Sequence, residues 1–159
     1  MRDREPAVTL ALAGKGPELE RVQRHAGRLG LGDSVRYLGF VPDAELPAAY
    51  ASADAFASAS QFETQGMTAV EAMACGTPVA AVRARGLADY VLDGKTGYLW
   101  KPDDVESAAD AILRTLHAGE GIRSEARRHA ETLGVARFAS QLEDLYAGLL
   151  DRRKAQAVS

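Results

Sequence analysis

Short apolar runs alternate with longer amphipathic stretches along the chain, and glycine or proline marks most of the joins. Val8 to Ala13 is short, apolar and closed by Gly14, the pattern of a buried strand. Pro17 suits the first turn of the next helix, where its missing N–H would have no partner anyway. Leu19, Val22, Ala26 and Leu29 then form one helical face, and Gly30 can cap it. Val35 to Leu38 reads as a second strand, ending at Gly39. Asp43 is placed as the N-cap of a short helix over Ala44 to Ser52, and Ala53 to Ala59 follows as a third strand. A polar loop, Ser60 to Gln65, leads into an apolar helix from Gly66 to Cys75 that Gly76 and Pro78 stop. Pro78 to Val82 is a fourth strand, Leu87 to Leu92 a helical turn or two, and Asp93-Gly94-Lys95-Thr96-Gly97 a turn before a fifth strand at Tyr98 to Trp100. Beyond Pro102 the pattern is helical throughout. One helix covers Asp104 to Leu116, a basic one Ile122 to Leu133, and a last one from Val135 lines up Phe138, Leu142, Leu145 and Leu149.

Strands alternating with helices predict βαβ units, hence an α/β fold: a Rossmann-like, doubly wound parallel sheet with C-terminal helices. No repeat or linker divides the 159 residues, so a single domain is expected, its core running from about residue 8 to 150. In such a sheet ligands sit beyond the carboxyl ends of the strands. The loops at Gly14, Gly39, Ser60 and Arg83 all leave that edge.

Composition narrows the partners. A formal net charge of -3 gives no general attraction to nucleic acid. Arginines do gather at Arg123, Arg127 and Arg128, and again at Arg152, Arg153 and Lys154; a solvated helix face is the plain reading, a membrane or phosphate patch the sharper one. The single cysteine, Cys75, leaves no internal disulfide and no zinc spacing, and reads as a small core residue. No apolar run reaches the roughly 18 residues of a membrane span. The opening Met1 to Pro6 lacks the apolar core of a signal peptide, so a cytoplasmic location is expected. His25, His117 and His129 fall within helices away from the ligand edge and read as surface residues. No nucleophile–base pair, metal-ligand spacing or P-loop is present.

The chemistry concentrates between Glu63 and Gly76. A polar loop and then Gly66 stand at the start of a helix that follows a strand, where free N–H groups and the helix dipole favour an anion such as a diphosphate. Gly66 would let phosphate oxygens approach with no Cβ in the way. Glu71 lies in a helix apolar nearly all round, so it is expected to be buried and to need partners. A vicinal diol such as a ribose could donate two hydrogen bonds to it; an internal ion pair with Arg83, Arg85 or Lys15 is the other reading. Glu63, in the loop, is expected to be the more exposed acid. Together the two would grip both ends of a sugar nucleotide, with the phosphates between. Gly14-Lys15-Gly16-Pro17 fails as a dinucleotide fingerprint, because Leu19 takes the third glycine position and Pro17 intrudes, but it suits a turn that approaches a ligand closely.

Five segments in order resemble the large retaining glycosyltransferase family, group 1 or GT4, that includes sucrose synthases, glycogen synthases and many bacterial lipid and polysaccharide glycosyltransferases. They are Gly14-Lys15-Gly16-Pro17, Val35 to Val41, Glu63 with Glu71, Glu71-Ala72-Met73-Ala74-Cys75-Gly76-Thr77-Pro78-Val79, and Asp93 to Gly97. The resemblance implies half of a GT-B fold, namely the domain that binds a nucleotide-diphosphate sugar such as a UDP-, GDP- or ADP-sugar. It implies that Glu63 is the catalytic-site acid touching hydroxyls of the donor sugar and that Glu71 holds the ribose. Backbone N–H groups of Gly66, Met67 and Thr68 would hold the diphosphate or sugar, Phe40 and Val41 would line the base pocket, and Gly14 and Gly16 would let the diphosphate close. No metal and no cofactor are implied, which leaves helix-start amides and basic side chains to stabilise the leaving group.

Two departures stand out. Thr64-Gln65 replaces the Gly-Phe common in the family and resembles some lipid glucosyltransferases, a hint of a lipid acceptor and of peripheral membrane association. By the resemblance, an N-terminal acceptor domain and a strand and helix that carry two diphosphate-gripping basic residues would lie upstream of Val8, and this chain is expected to lack them. The chain is therefore expected to be a fragment, inactive by itself. The alternatives are half of a sugar-nucleotide 2-epimerase, whose chemistry would need a histidine in the cleft, or a stand-alone nucleotide-sugar binding module.

Overall fold

A computed structural model describes residues 4–157, so Met1 to Asp3, the start of the segment that lacks a signal peptide's apolar core, lie outside the described residues, as does the side chain of Lys154. The order is β1 (Leu10–Ala13), α1 (Leu19–Arg28), a 3-10 turn at Gly32–Ser34, β2 (Val35–Gly39), α2 (Leu46–Ala51), β3 (Phe56–Ser58), α3 (Met67–Ala74), β4 (Val79–Val82), α4 (Arg85–Tyr90), β5 (Gly97–Trp100), α5 (Val105–Leu116), α6 (Glu120–Thr132) and α7 (Val135–Ala157). Every strand pairing is parallel, as the alternation of strands and helices requires. The molecule is an α/β, Rossmann-like half.

The five strands ladder as two groups, β1 with β2 and β3-β4-β5 in that order. The core sits on the second. All four residues of β4 are buried, between β3 and β5, as befits a central parallel strand. Ala69, Ala72 and Met73 of α3, Leu87 of α4, Val91, Trp100, Ala111, and Ala126 and Ala130 of α6 complete the cluster. Small residues let α3 and α6 pack closely, and α5 covers β4 and β5. Gly97 is required here, because a Cβ would run into the backbone of Val79 on the neighbouring strand.

Several expectations change. The first strand is not buried: Leu10 is 45% exposed, and no residue of β1 joins the core cluster, which gathers on β4. The helix after β2 begins at Leu46, not Ala44. Its first turn starts from Pro42, whose carbonyl accepts the amides of Glu45 and Leu46, so Asp43 is no N-cap. The third strand shrinks to Phe56–Ser58. Cys75 is half-buried rather than a core residue. The stripe on α7 does not join the core: Phe138, Leu145 and Leu149 are exposed and Leu142 only half-buried. Gly30 does close α1. Its φ of 65° is left-handed, its amide donates to the Gly27 carbonyl and that of Leu31 to Ala26, a paired C-terminal cap.

The arginine cluster on α6 resolves into local pairs. Arg127 meets Glu131, Arg128 meets Glu125, and Arg123 donates to the carbonyl of Asp54 at 3.1 Å. Such partners leave a solvated face rather than a bare cationic patch. His25 and His117 are exposed, whereas His129 is half-buried with its Nε2 3.0 Å from the Tyr90 carbonyl.

Candidate functional site

The carboxyl ends of β1 and β2 are tied together. The amide of Gly14 donates to the carbonyl of Gly39 at 2.6 Å, just past a register shift at Ala13. Gly14 (φ 120°) and Gly39 (φ 67°) both adopt conformations that side chains disfavour, which places two turns side by side at this edge. A Cβ on Gly14 or Gly16 would meet nothing, so the space over this turn is open. Phe40 follows at 65% exposure and Val41 is half-buried.

Beyond β3 the chain reaches the start of α3. Gly66 is the N-cap in the left-handed conformation, φ 57° and ψ 35°. It is buried, and a Cβ would stand 3.1 Å from Leu87 Cδ2. Glycine is thus demanded by backbone conformation and by packing on α4 before any ligand is considered. The first intrahelical bonds are those that Ala69 and Val70 donate to the Gly66 carbonyl. The amides of Met67 and Thr68 come before that ladder and have no intrahelical partner.

The burial of the two acids reverses the expectation. Glu63 is half-buried and Glu71 exposed. α3 is apolar in composition, yet it buries only the face of Ala69, Ala72 and Met73; Met67, Thr68, Glu71 and Ala74 look outward. Glu63 is enclosed because its segment is pinned to α4: the amide of Gly86 donates to the Glu63 carbonyl at 3.2 Å.

Neither arginine neutralises Glu71. Arg83 Nη2 lies 2.5 Å from Asp93 Oδ2, and the other oxygen of Asp93 accepts the Leu99 amide at 3.0 Å. Arg85, with a left-handed φ of 41°, holds its guanidinium 5.6 Å from the ring centre of the exposed Phe62. The partner of Glu71 is Tyr50, whose hydroxyl donates to Oε2 at 3.0 Å. Burial, and then the Glu71 carboxylate, push the Tyr50 phenol up to about 12. A neutral phenol leaves the carboxylate its charge.

Sequence reasoning missed Tyr50, Gly86 and the Arg85–Phe62 contact. The need of Glu71 for a donor was a signal, but the partner stands 21 residues away on another helix. Two cavities, of about 480 and 260 Å³, lie elsewhere, against Arg4, Asp110 and His117 and against Cys75, Glu120 and Arg127. They share no residue with the edge that the glycine turns and α3 build.

A family model described as "Glycosyl transferases group 1" matches residues 1–132. The GDP-mannose-dependent alpha-(1-6)-phosphatidylinositol monomannoside mannosyltransferase of Mycolicibacterium smegmatis is 40% identical over 119 residues, 70% of this chain and 31% of that protein. D-inositol 3-phosphate glycosyltransferase 2 of Catenulispora acidiphila is 33% identical over 96% of this chain and 38% of its own length. Among solved structures, Anabaena HepE in complex with UDP and glucose superposes with a TM-score of 0.78 at 30% identity, over 89% of this chain and 41% of that one. Sucrose-phosphate synthase from Thermosynechococcus elongatus gives 0.81 at 31% identity, over 94% and 40%. This chain therefore spans between about a third and two-fifths of the length of these relatives.

Proposed function

The chain belongs to the group 1 glycosyl transferases, and from that premise we propose that it is the donor-binding domain of a retaining enzyme that moves a sugar from a nucleotide-diphosphate sugar to a hydroxyl acceptor. One observation carries the reading: a left-handed Gly66 opens α3 on the carboxyl edge, with Glu63 just before it and Glu71 in the next turn. The similarity to HepE, whose structure holds UDP and glucose, supports a nucleotide sugar as the ligand.

In this reading the exposed carboxylate of Glu71 accepts the ribose hydroxyls. Glu63 meets hydroxyls of the donor sugar, and its partial enclosure strengthens such bonds. The diphosphate lies over the amides of Met67 and Thr68, where the helix dipole favours negative charge. The open turns at Gly14 and Gly16 admit it from the other side, and Phe40 and Val41 border the base. Transfer needs no metal here. Charge developing on the leaving diphosphate falls to those amides and to nearby cations such as Lys15 and Arg85. In this reading a second domain supplies the acceptor, which the chain's span of only about two-fifths or less of its relatives supports, and the Thr64-Gln65 variant favours a lipid hydroxyl.

The test is a thermal-unfolding screen with UDP-, GDP- and ADP-sugars. A ligand present at 100 times its Kd adds about 2.7 kcal/mol of stability and raises the midpoint visibly. A midpoint unmoved by every one of them would sink the proposal.

A further inference from the structure

Tyr50 is held at three points, and only one of them concerns its own hydroxyl. Its ring meets Phe56 of β3 edge to face, centroids 5.7 Å apart at 73°. Its carbonyl accepts the hydroxyl of Thr77 at 2.7 Å. Thr77 is itself fully buried, and its amide donates to the Ala72 carbonyl of α3 at 2.9 Å. The short α2 is thereby fixed to β3 and to the junction of α3 with β4. From that anchored ring the hydroxyl reaches Glu71 Oε2 at 3.0 Å.

Glu71 has no such anchorage of its own. It stands exposed on α3, and among the described residues the hydroxyl of Tyr50 is the one side-chain hydrogen bond recorded for it. A glutamate there would sample several rotamers, and a ligand would have to remove that freedom on binding. We infer that Tyr50 is a positioning residue: it fixes the Glu71 carboxylate through Oε2 and leaves Oε1 and the remaining lone pairs turned to a vicinal diol. This rests on the proposed ribose role of Glu71.

The choice of a phenol matters chemically. A carboxylate offers about four acceptor sites, so one donated bond still leaves room for both hydroxyls of a diol. An arginine would fill two sites and cancel the charge. A phenol fills one, and like any tyrosine it is protonated and a donor at neutral pH.

The experiment is calorimetry on the whole chain with UDP, GDP and ADP, then with the 2′,3′-dideoxy form of whichever binds most tightly. Tyr50→Phe keeps the ring on Phe56 and the backbone bond to Thr77, and circular dichroism checks that it folds. Its affinity for the ribose form is expected to fall about five- to tenfold, the scale of one ordinary lost hydrogen bond, while the dideoxy form changes less than about twofold on the same reckoning. A merely structural tyrosine would weaken both ligands alike, and that result, or no loss for either, overturns the inference. Glu71→Gln, measured in parallel, separates the two layers. If it leaves the preference for ribose intact, the ribose role of Glu71 is wrong. If it abolishes the preference while Tyr50→Phe retains it, only the role of Tyr50 is wrong. No binding by any of the three diphosphates overturns both.

Discussion

The amide of Gly86 donates to the carbonyl of Glu63 across 3.2 Å, joining the first turn of α4 to the loop that carries the proposed sugar-binding acid. The approach is so close that a Cβ on Gly86 would stand 2.5 Å from the Thr64 carbonyl oxygen and 2.8 Å from its carbon. Backbone on both sides cannot yield as a side-chain tip can. Gly86→Ala is therefore expected to cost about 1–3 kcal/mol, the usual penalty of overpacking, and to displace Glu63. Urea denaturation reads the first effect and donor calorimetry the second. A variant of unchanged stability and affinity would show that the loop is not held by α4.

The two acids should separate nucleotide from sugar. Glu71→Gln is expected to weaken both the bare nucleoside diphosphate and the full donor, by on the order of 1.5–3 kcal/mol, since the amide keeps one acceptor but loses the charge-assisted bonds. Glu63→Gln should weaken the full donor and spare the diphosphate. Calorimetry on both variants with both ligands decides. Equal losses at Glu63 would mean that it does not sense the sugar.

Tyr50 should betray itself at high pH. An unfolded tyrosine titrates near about 10, and Tyr50 in the fold at about 12. Its folded-state pKa is raised, so the stability it contributes is complete below about pH 10 and is lost as pH climbs through about 12. An absorbance titration of the folded chain should show one of the five tyrosines ionising last. Tyr50→Phe should remove that step, and Glu71→Gln should move it down. Five tyrosines titrating together would contradict the Tyr50–Glu71 bond.

The purified chain is expected to bind donor without turning it over. Transfer requires acceptor and donor held together, and this chain spans only 31% of the mannosyltransferase and 38% of the inositol phosphate glycosyltransferase that it resembles. Release of nucleoside diphosphate in the presence of lipid or glycan acceptors measures this. Sustained turnover by the chain alone would refute it.

Local patterns made much of the fold legible. The alternation of apolar runs and amphipathic stretches placed the five described strands along the chain, because a strand is short and apolar and a helix shows its own period whatever surrounds it. Gly30 was recognisable as a helix stop from the left-handed conformation that such an end favours, whereas Gly66 was recognisable as a helix start but not as left-handed. The stretch from Glu63 to Gly76 stood out as the place for chemistry for the same reason: a strand, a glycine and a helix start in sequence.

What surrounds each side chain was decided by the tertiary structure. An apolar composition suggested that α3 was covered on all sides, but alanine is as ready to face water as to pack, so only the side of Ala69, Ala72 and Met73 is buried and Glu71 is left outside. Arg83 chose Asp93 and Arg85 the ring of Phe62, which no spacing specifies. Tyr50 reaches Glu71 only because Phe56 and Thr77 fix α2 beside α3. Periodicity reports forces between neighbours in the chain. The choice of partner depends on contacts between residues far apart in it, and these exist only once the layers have packed.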